Sequence, residues 1–262
     1  MATALNWQHP RFSRAAFYVW QRNALVWRKL MLAGLVMNLG EPLFYMLGLG
    51  FGLGTFISPM QGVPYLAFLA SGIVASSTMY AASFEGMYSV YTRMEPQQTY
   101  AAILSTPLEV DDIVLGELLW CAAKATLSGC AIILVAALLG VVHHASVLWA
   151  LPLIYLTGFA FAGLAMIVSA FDSGYDFFNF YFTLVLTPML FLGGVFYPAT
   201  ALSPSLQILV QGLPLTHAVA LLRPIMLNQP LTDASVSILI LVGYALLGYY
   251  LALVLIRRRL LV

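Results

Sequence analysis

The sequence predicts an all-α polytopic membrane protein with six transmembrane helices, and three observations carry that prediction. The chain is 62% hydrophobic and only 8% charged, with a mean hydropathy of +0.93, whereas a soluble domain carries roughly 25% charged residues. Nearly uncharged stretches recur at 31–54, 63–84, 113–140, 148–171, 178–197 and 235–256. A helix rising about 1.5 Å per residue crosses about 30 Å of hydrocarbon in about 20 residues, so each stretch is long enough to span. The runs are also continuously apolar, where a transmembrane barrel would alternate polarity along strands of about ten residues. Helices satisfy every backbone donor and acceptor within the segment, as lipid demands. The whole of 1–262 therefore reads as a single transmembrane domain.

Ahead of the first span, residues 11–29 interleave Arg14, Arg22 and Arg28 with Phe12, Phe17, Tyr18, Trp20 and Trp27. At helical spacing this makes an N-terminal amphipathic interfacial helix with aromatic rings at headgroup depth. The simpler reading is a basic flank that orients span one. No cleavable signal peptide is expected, because the basic approach is long and lacks a small-residue cleavage site.

Span one holds Glu41-Pro42 and then Gly48, Gly50, Gly52 and Gly54. Alternate glycines permit close helix approach, and Pro42 frees an internal carbonyl. An acid facing lipid is costly, so Glu41 is expected to face protein or water, either on a translocation path or as partner to a neighbouring helix.

The segment 86–112 is expected to hold a short helix between two membrane helices on the cytosolic side, more structured than a tether requires; the simpler reading is a capped connection with no partner. Thr92-Arg93-Met94-Glu95-Pro96 offers a polar start and an early-helix proline, Gln97 to Leu104 a short helix, and Thr106-Pro107 an extended break. Asp111 and Asp112 stand where they can cap span three. Within that span, Glu117 and Lys124 share a face but lie about 10 Å apart along the axis, too far for routine pairing; Glu117 is expected near the cytosolic interface, and the deeper Lys124 either snorkels or pairs with another helix. Cys121 and Cys130 point to nearly opposite faces of the same helix, which excludes a bond between them.

Span four ends before Asp172, and Asp176 follows in a short turn surrounded by aromatics from Tyr175 to Phe182, read as a tight helix connection with an interface belt. Residues 198–232 carry Pro198, Pro204, Pro214 and Pro224 amid Leu, Ile and Val. Too broken for one crossing and too apolar for a solvated loop, they suit a broken outer hairpin of re-entrant helices.

Orientation follows from the cations. Arg11, Arg14, Arg22, Arg28 and Lys29 precede span one, and Arg257, Arg258 and Arg259 follow span six. Such clusters favour the cytosol, which puts both termini inside and requires an even number of spans. Arg223 is then the lone cation of the outer loops.

Several chemistries are excluded. There is no GxxxxGK loop, and Lys29 and Lys124, the only lysines, do not follow glycine, so a transport ATPase would have to be a separate chain. HExxH and GxSxG are missing, the adjacent His143 and His144 make a poor chelate, and Ser203 and Ser205 lack a His/Asp setting; catalysis is not expected. Two membrane-flanking basic clusters do not form a nucleic-acid groove.

Taken together, Asn38-Leu39-Gly40-Glu41-Pro42, Ala67-Phe68-Leu69-Ala70-Ser71-Gly72, Asp112-Ile113-Val114-Leu115-Gly116-Glu117, Thr187-Pro188 with Phe191-Leu192, Pro214-Leu215-Thr216-His217 and Leu221-Leu222-Arg223-Pro224 resemble the membrane subunit of type-2 ABC exporters. Over nearly the whole chain the pattern is similar to the nodulation-type permeases that export lipo-chitooligosaccharides. The resemblance implies a bacterial inner-membrane permease with no cofactor of its own, paired with a second permease copy and with two cytosolic ATPase subunits that bind ATP and Mg. The cargo it implies is an amphiphilic glycolipid leaving the cytosolic leaflet. Coupling to the ATPase is then assigned to Arg93, Glu95, Tyr100 and Leu104, and the translocation path to Glu41, Tyr45 and Tyr197. Family members often carry Glu after the coupling aromatic, whereas Tyr100 is followed here by Ala101. A drug or polysaccharide permease is the nearest alternative; a gradient-driven transporter is disfavoured by the lack of an inverted repeat and of buried ion ligands, and a noncatalytic membrane scaffold would show no flux.

Overall fold

The computed structural model describes residues 9–29, 31–142, 144–171 and 174–261, with the side chains at 33, 35, 37–39, 41 and 42 also outside that description. Among the described residues it is a helical bundle with no strand. Helix α1, Ala16–Arg28, lies against the bundle. Helix α2, Met31–Leu47, runs without a break into a π-helical turn at Gly48–Gly52 and a 3-10 turn at Leu53–Thr55. Then come α3 (Tyr65–Met94), the short α4 (Thr99–Leu104) and α5 (Val110–Leu138). The chain returns through α6 (Ala150–Ala170, preceded by a 3-10 turn) and α7 (Gly174–Leu192), makes the pair α8 (Pro204–Val210) and α9 (Pro214–Met226), and finishes with α10 (Ala234–Leu261). Five of these, α3, α5, α6 with its lead-in turn, α7 and α10, are long and apolar enough to cross a membrane. These five, or six where the bent pair at 204–226 forms one span, make the multi-pass architecture expected from composition.

Helix α3 is the centre of the bundle: 83% of its apolar window is buried. It packs between α5, α6 and α9, whereas α7 lies at the periphery with most of its surface uncovered. In lipid, helix association depends on packing and polar contacts rather than on hydrophobic transfer, so small residues mark the tightest crossings. The crossing of α6 and α10 is built on two glycines: a Cβ at Gly163 would stand 2.9 Å from the carbonyl carbon of Gly248. Helix α1 closes on α5 by the same device, since a Cβ at Gly116 would come 2.5 Å from the Ala16 carbonyl oxygen. Of the alternating glycines in span one, only Gly50 meets a tight neighbour, Leu66; Gly48 and Gly52 face open space.

Four expectations are corrected by the fold. The connection expected at 86–112 begins later, because α3 continues to Met94 through a π-helical turn at Glu85–Ser89. Met87, Val90 and Met94 keep the buried stripe going at helical spacing, so Arg93 ends a helix rather than opening a loop. Helix α7 starts at Gly174 and ends at Leu192, earlier than 178–197, which leaves Tyr197 beyond it. It passes Pro188 by widening to a π turn at Phe182–Leu186, where the Thr187 hydroxyl donates to the Phe182 carbonyl at 3.0 Å. Arg223 is no loop cation: it is 7% exposed in α9, its Nε donating to Ser71 Oγ at 3.0 Å and Nη2 to the Gly194 carbonyl at 2.8 Å, with the guanidinium over the Phe68 ring. The start of α5 is capped by Asp112, which accepts the Glu109 amide at 3.0 Å, while Asp111 is drawn away to Arg257.

Helices α8 and α9 meet at 89°. Pro204 and Pro214 each open a helix, where a missing amide costs nothing, and that placement makes the segment a bent pair rather than one rod. At the other end of the bundle the segment before α1 and the last turns of α10 meet around Asp111 and Glu95. Arg11 donates its backbone amide to Asp111 at 2.7 Å, Arg257 pairs with the same carboxylate, and Arg259 pairs with Glu95 at 2.8 Å.

Candidate functional site: a polar network beside a cavity

A cavity of about 330 Å³ opens among α2, α3, α5 and α7. Helices α3 and α5 contribute Ser76, Ser77, Tyr80, Lys124 and Ser128, with the Ser77 and Ser128 hydroxyls 2.8 Å apart, beside the apolar Ile73, Ala81 and Phe84 of α3, and α2 adds the Tyr45 phenol. Helix α7 and the segment after it contribute only apolar side chains, Phe182, Leu190 and Phe196. The hydroxyls arise because α3 is rich in Ser and Thr: Ser71, Ser76 and Thr78 return hydrogen bonds to carbonyls one turn back, so they are accommodated without breaking the helix.

Below the cavity lies a buried charge network. Lys124 Nζ donates to Glu85 Oε2 at 2.5 Å; Glu85 also accepts from Ser89 Oγ at 2.8 Å, Trp120 Nε1 at 2.9 Å and both Arg93 Nη atoms at 3.1 Å. Arg93 in turn holds Glu117 in a two-point clasp, Nε to Oε1 at 3.0 Å and Nη2 to Oε2 at 2.6 Å. Two carboxylates and two cations balance, which is what allows Glu117 to be 0% exposed. The π turn makes this geometry. Its one extra residue brings Arg93, eight positions after Glu85, to the angular place of a residue seven away, within about 20° of the same face.

The network meets α4 directly. The last turns of α3 pack on α4, and Tyr100 is 0% exposed in the same apolar core as Val90, Met94 and Leu118. Burial, and secondarily the charge of Glu117, holds the Tyr100 phenol well above its usual range, so it stays neutral. Leu104 is half-buried on the same side, whereas Ala101, Ala102 and Ser105 are exposed.

The coupling candidates therefore fall in three places. Arg93 turns inward to the network, Glu95 pairs with Arg259 at the end of α10, and Tyr100 and Leu104 seat α4 on the bundle. Of the path candidates, Tyr45 lines the cavity with its ring edge on Phe196 at 5.9 Å between centroids. Tyr197 does not line it, although its neighbour does, and the Glu41 side chain lies outside the described residues. Sequence reading passed over Ser76, Ser77, Tyr80 and Ser128 as site residues. The available signal was a run of hydroxyls in an otherwise apolar span. Lys124 was expected to snorkel or to find a partner on another helix, and it finds Glu85 on α3. Among the described residues no group of three or more His, Cys, Asp or Glu could hold a metal, and both cysteines are free.

Similarity to known proteins agrees with this architecture. The chain is 49% identical to Nodulation protein J of Rhizobium meliloti over 242 residues, covering 92% of each protein. It is 48% identical to Nodulation protein J of Sinorhizobium fredii over 243 residues, 93% of each, and 31% identical to that of Azorhizobium caulinodans, covering 87% of this chain and 89% of that one. Residues 14–227 match the ABC-2 type transporter family. A bundle of apolar spans, a charge network under an internal cavity and a match over most of its length make this chain a multi-pass membrane protein that belongs to the ABC-2 type transporter family.

Proposed function

We propose that this chain is the membrane subunit of an ATP-driven exporter that moves a lipooligosaccharide or related amphiphile out of the cytosolic leaflet of a bacterial inner membrane. It works with a second permease copy and two cytosolic ATPase subunits, which bind ATP and Mg. The observation that carries this reading is the two-sided cavity, with hydroxyls and an ammonium from α3 and α5 for a saccharide head and only apolar side chains from α7 for an acyl chain. Such pockets bind by apolar burial with a few placed polar groups. Resemblance to the nodulation-type permeases supports the cargo class, and the arginine clusters at both chain ends support cytosolic termini. Arg93, Glu95, Tyr100 and Leu104 serve coupling in this reading by fixing α4, whose exposed Ala101, Ala102 and Ser105 face the ATPase.

The test is reconstitution of the chain with its cognate ATPase in vesicles. An N-acylated chitooligosaccharide should stimulate ATP turnover and appear on the far side of the membrane in an ATP-dependent manner. Transport driven by a proton or sodium gradient without the ATPase would overturn the reading. Cysteine labelling at Ser105 and Ser203, in a chain freed of Cys121 and Cys130, should place the first inside and the second outside.

A further inference from the structure

We propose that Lys124 senses the occupant of the cavity and that Glu85, Arg93 and Glu117 pass that state to α4. This rests on the exporter reading and assigns the sensing chemistry within it: the ligand presents an acceptor oxygen, a hydroxyl or amide carbonyl of a saccharide head, to the Lys124 ammonium.

Lys124 is the one network member that lines the cavity, and it approaches Glu85 through a single donor. An ammonium carries three donors, so it has capacity for a ligand. The rest of the network is built to let it move. Without Lys124, Glu85 still accepts from Arg93, Trp120 and Ser89, so its carboxylate is never left unpartnered. Arg93 is shared between Glu85 and Glu117, and a Glu85 freed from Lys124 draws it more strongly. Glu85 sits in a π-helical turn, a helix register that can shift by one residue and often marks functional positions. The output is adjacent: the α3 turns that carry Arg93 pack on α4, and Glu95, two residues on, is tied to α10 through Arg259. A ligand that favours one arrangement of this network shifts α4 by its differential affinity, and by reciprocity the ATPase on α4 alters ligand affinity.

The test uses the reconstituted full chain with its ATPase and an N-acylated chitooligosaccharide as probe. K124Q should raise the half-maximal concentration for stimulation by about ten-fold, the loss of one charge-assisted hydrogen bond. E85Q should keep probe binding within about three-fold, because Glu85 does not touch the ligand, yet abolish stimulation. In the unaltered chain, the probe should protect Lys124 but not Lys29 from an amine-reactive label, a reading that requires no folded variant. K124Q with the wild-type half-maximal concentration, E85Q with full stimulation, or equal labelling of Lys124 with and without probe would overturn the proposal. Absence of stimulation in the wild type would instead sink the exporter reading.

Discussion

Replacing Arg93 by methionine tests whether the buried network holds the bundle together. The change deletes four hydrogen bonds, two to Glu117 at 3.0 and 2.6 Å and two to Glu85 at 3.1 Å. Glu85 keeps Lys124, Trp120 and Ser89, but Glu117 is fully buried and loses its salt-bridge partner. Removing one member of a buried pair costs roughly 3–5 kcal/mol, mostly because the other charge is stranded. At about 2–4 °C per kcal/mol for a chain of this size, the thermal midpoint in detergent should fall by roughly 6–20 °C. Adding Glu117→Gln removes the stranded charge, so the double variant should recover about 2 kcal/mol or more relative to Arg93→Met alone. Thermal unfolding followed by tryptophan fluorescence, with a denaturing-detergent titration for the energies, reads both numbers. A fall of less than about 3 °C, or a double variant as unstable as the sum of the two singles, would refute the reasoning.

The remaining predictions concern packing and coupling. Gly163→Leu should force α6 and α10 apart, costing about 1–3 kcal/mol from overpacking; an unchanged thermal midpoint would show that the crossing is looser than the backbone separation indicates. Arg223→Lys retains the charge but cannot reach Ser71 and Gly194 together, so hydrogen exchange over 204–226 should accelerate as α9 loosens from α3; exchange identical to wild type would deny it that pinning role. On α4, Ala102→Asp should lower ATPase stimulation with no change in thermal midpoint, because the side chain is exposed, whereas Tyr100→Asp should lower the midpoint by several degrees, because it buries a charge in the core. Equal midpoints for the two would place Tyr100 outside that core.

Much of the fold was legible because lipid imposes its demands segment by segment. The apolar crossings and the proline-broken hairpin follow from local composition. Boundaries were less legible where a helix keeps its buried stripe past a charge. Arg93 looked like part of a loop, yet it continues α3 with Glu85 because the network neutralises both. Arg223 misled for the same reason: its carbonyl, hydroxyl and ring partners lie on α3 and after α7, far away in sequence.

Length, apolarity and the placement of arginines thus determined by themselves that this chain crosses the membrane repeatedly. Only the tertiary structure decided which buried charges meet. Glu85 and Lys124 are 39 positions apart, and Arg93 and Glu117 24 apart, so their pairing depends on the packing of α3 on α5. A π turn sets the facing of Glu85 and Arg93, and such a one-residue change in phase leaves no mark in hydropathy. The cavity has the same origin, since its hydroxyl and aromatic sides come from helices that composition alone cannot place next to each other.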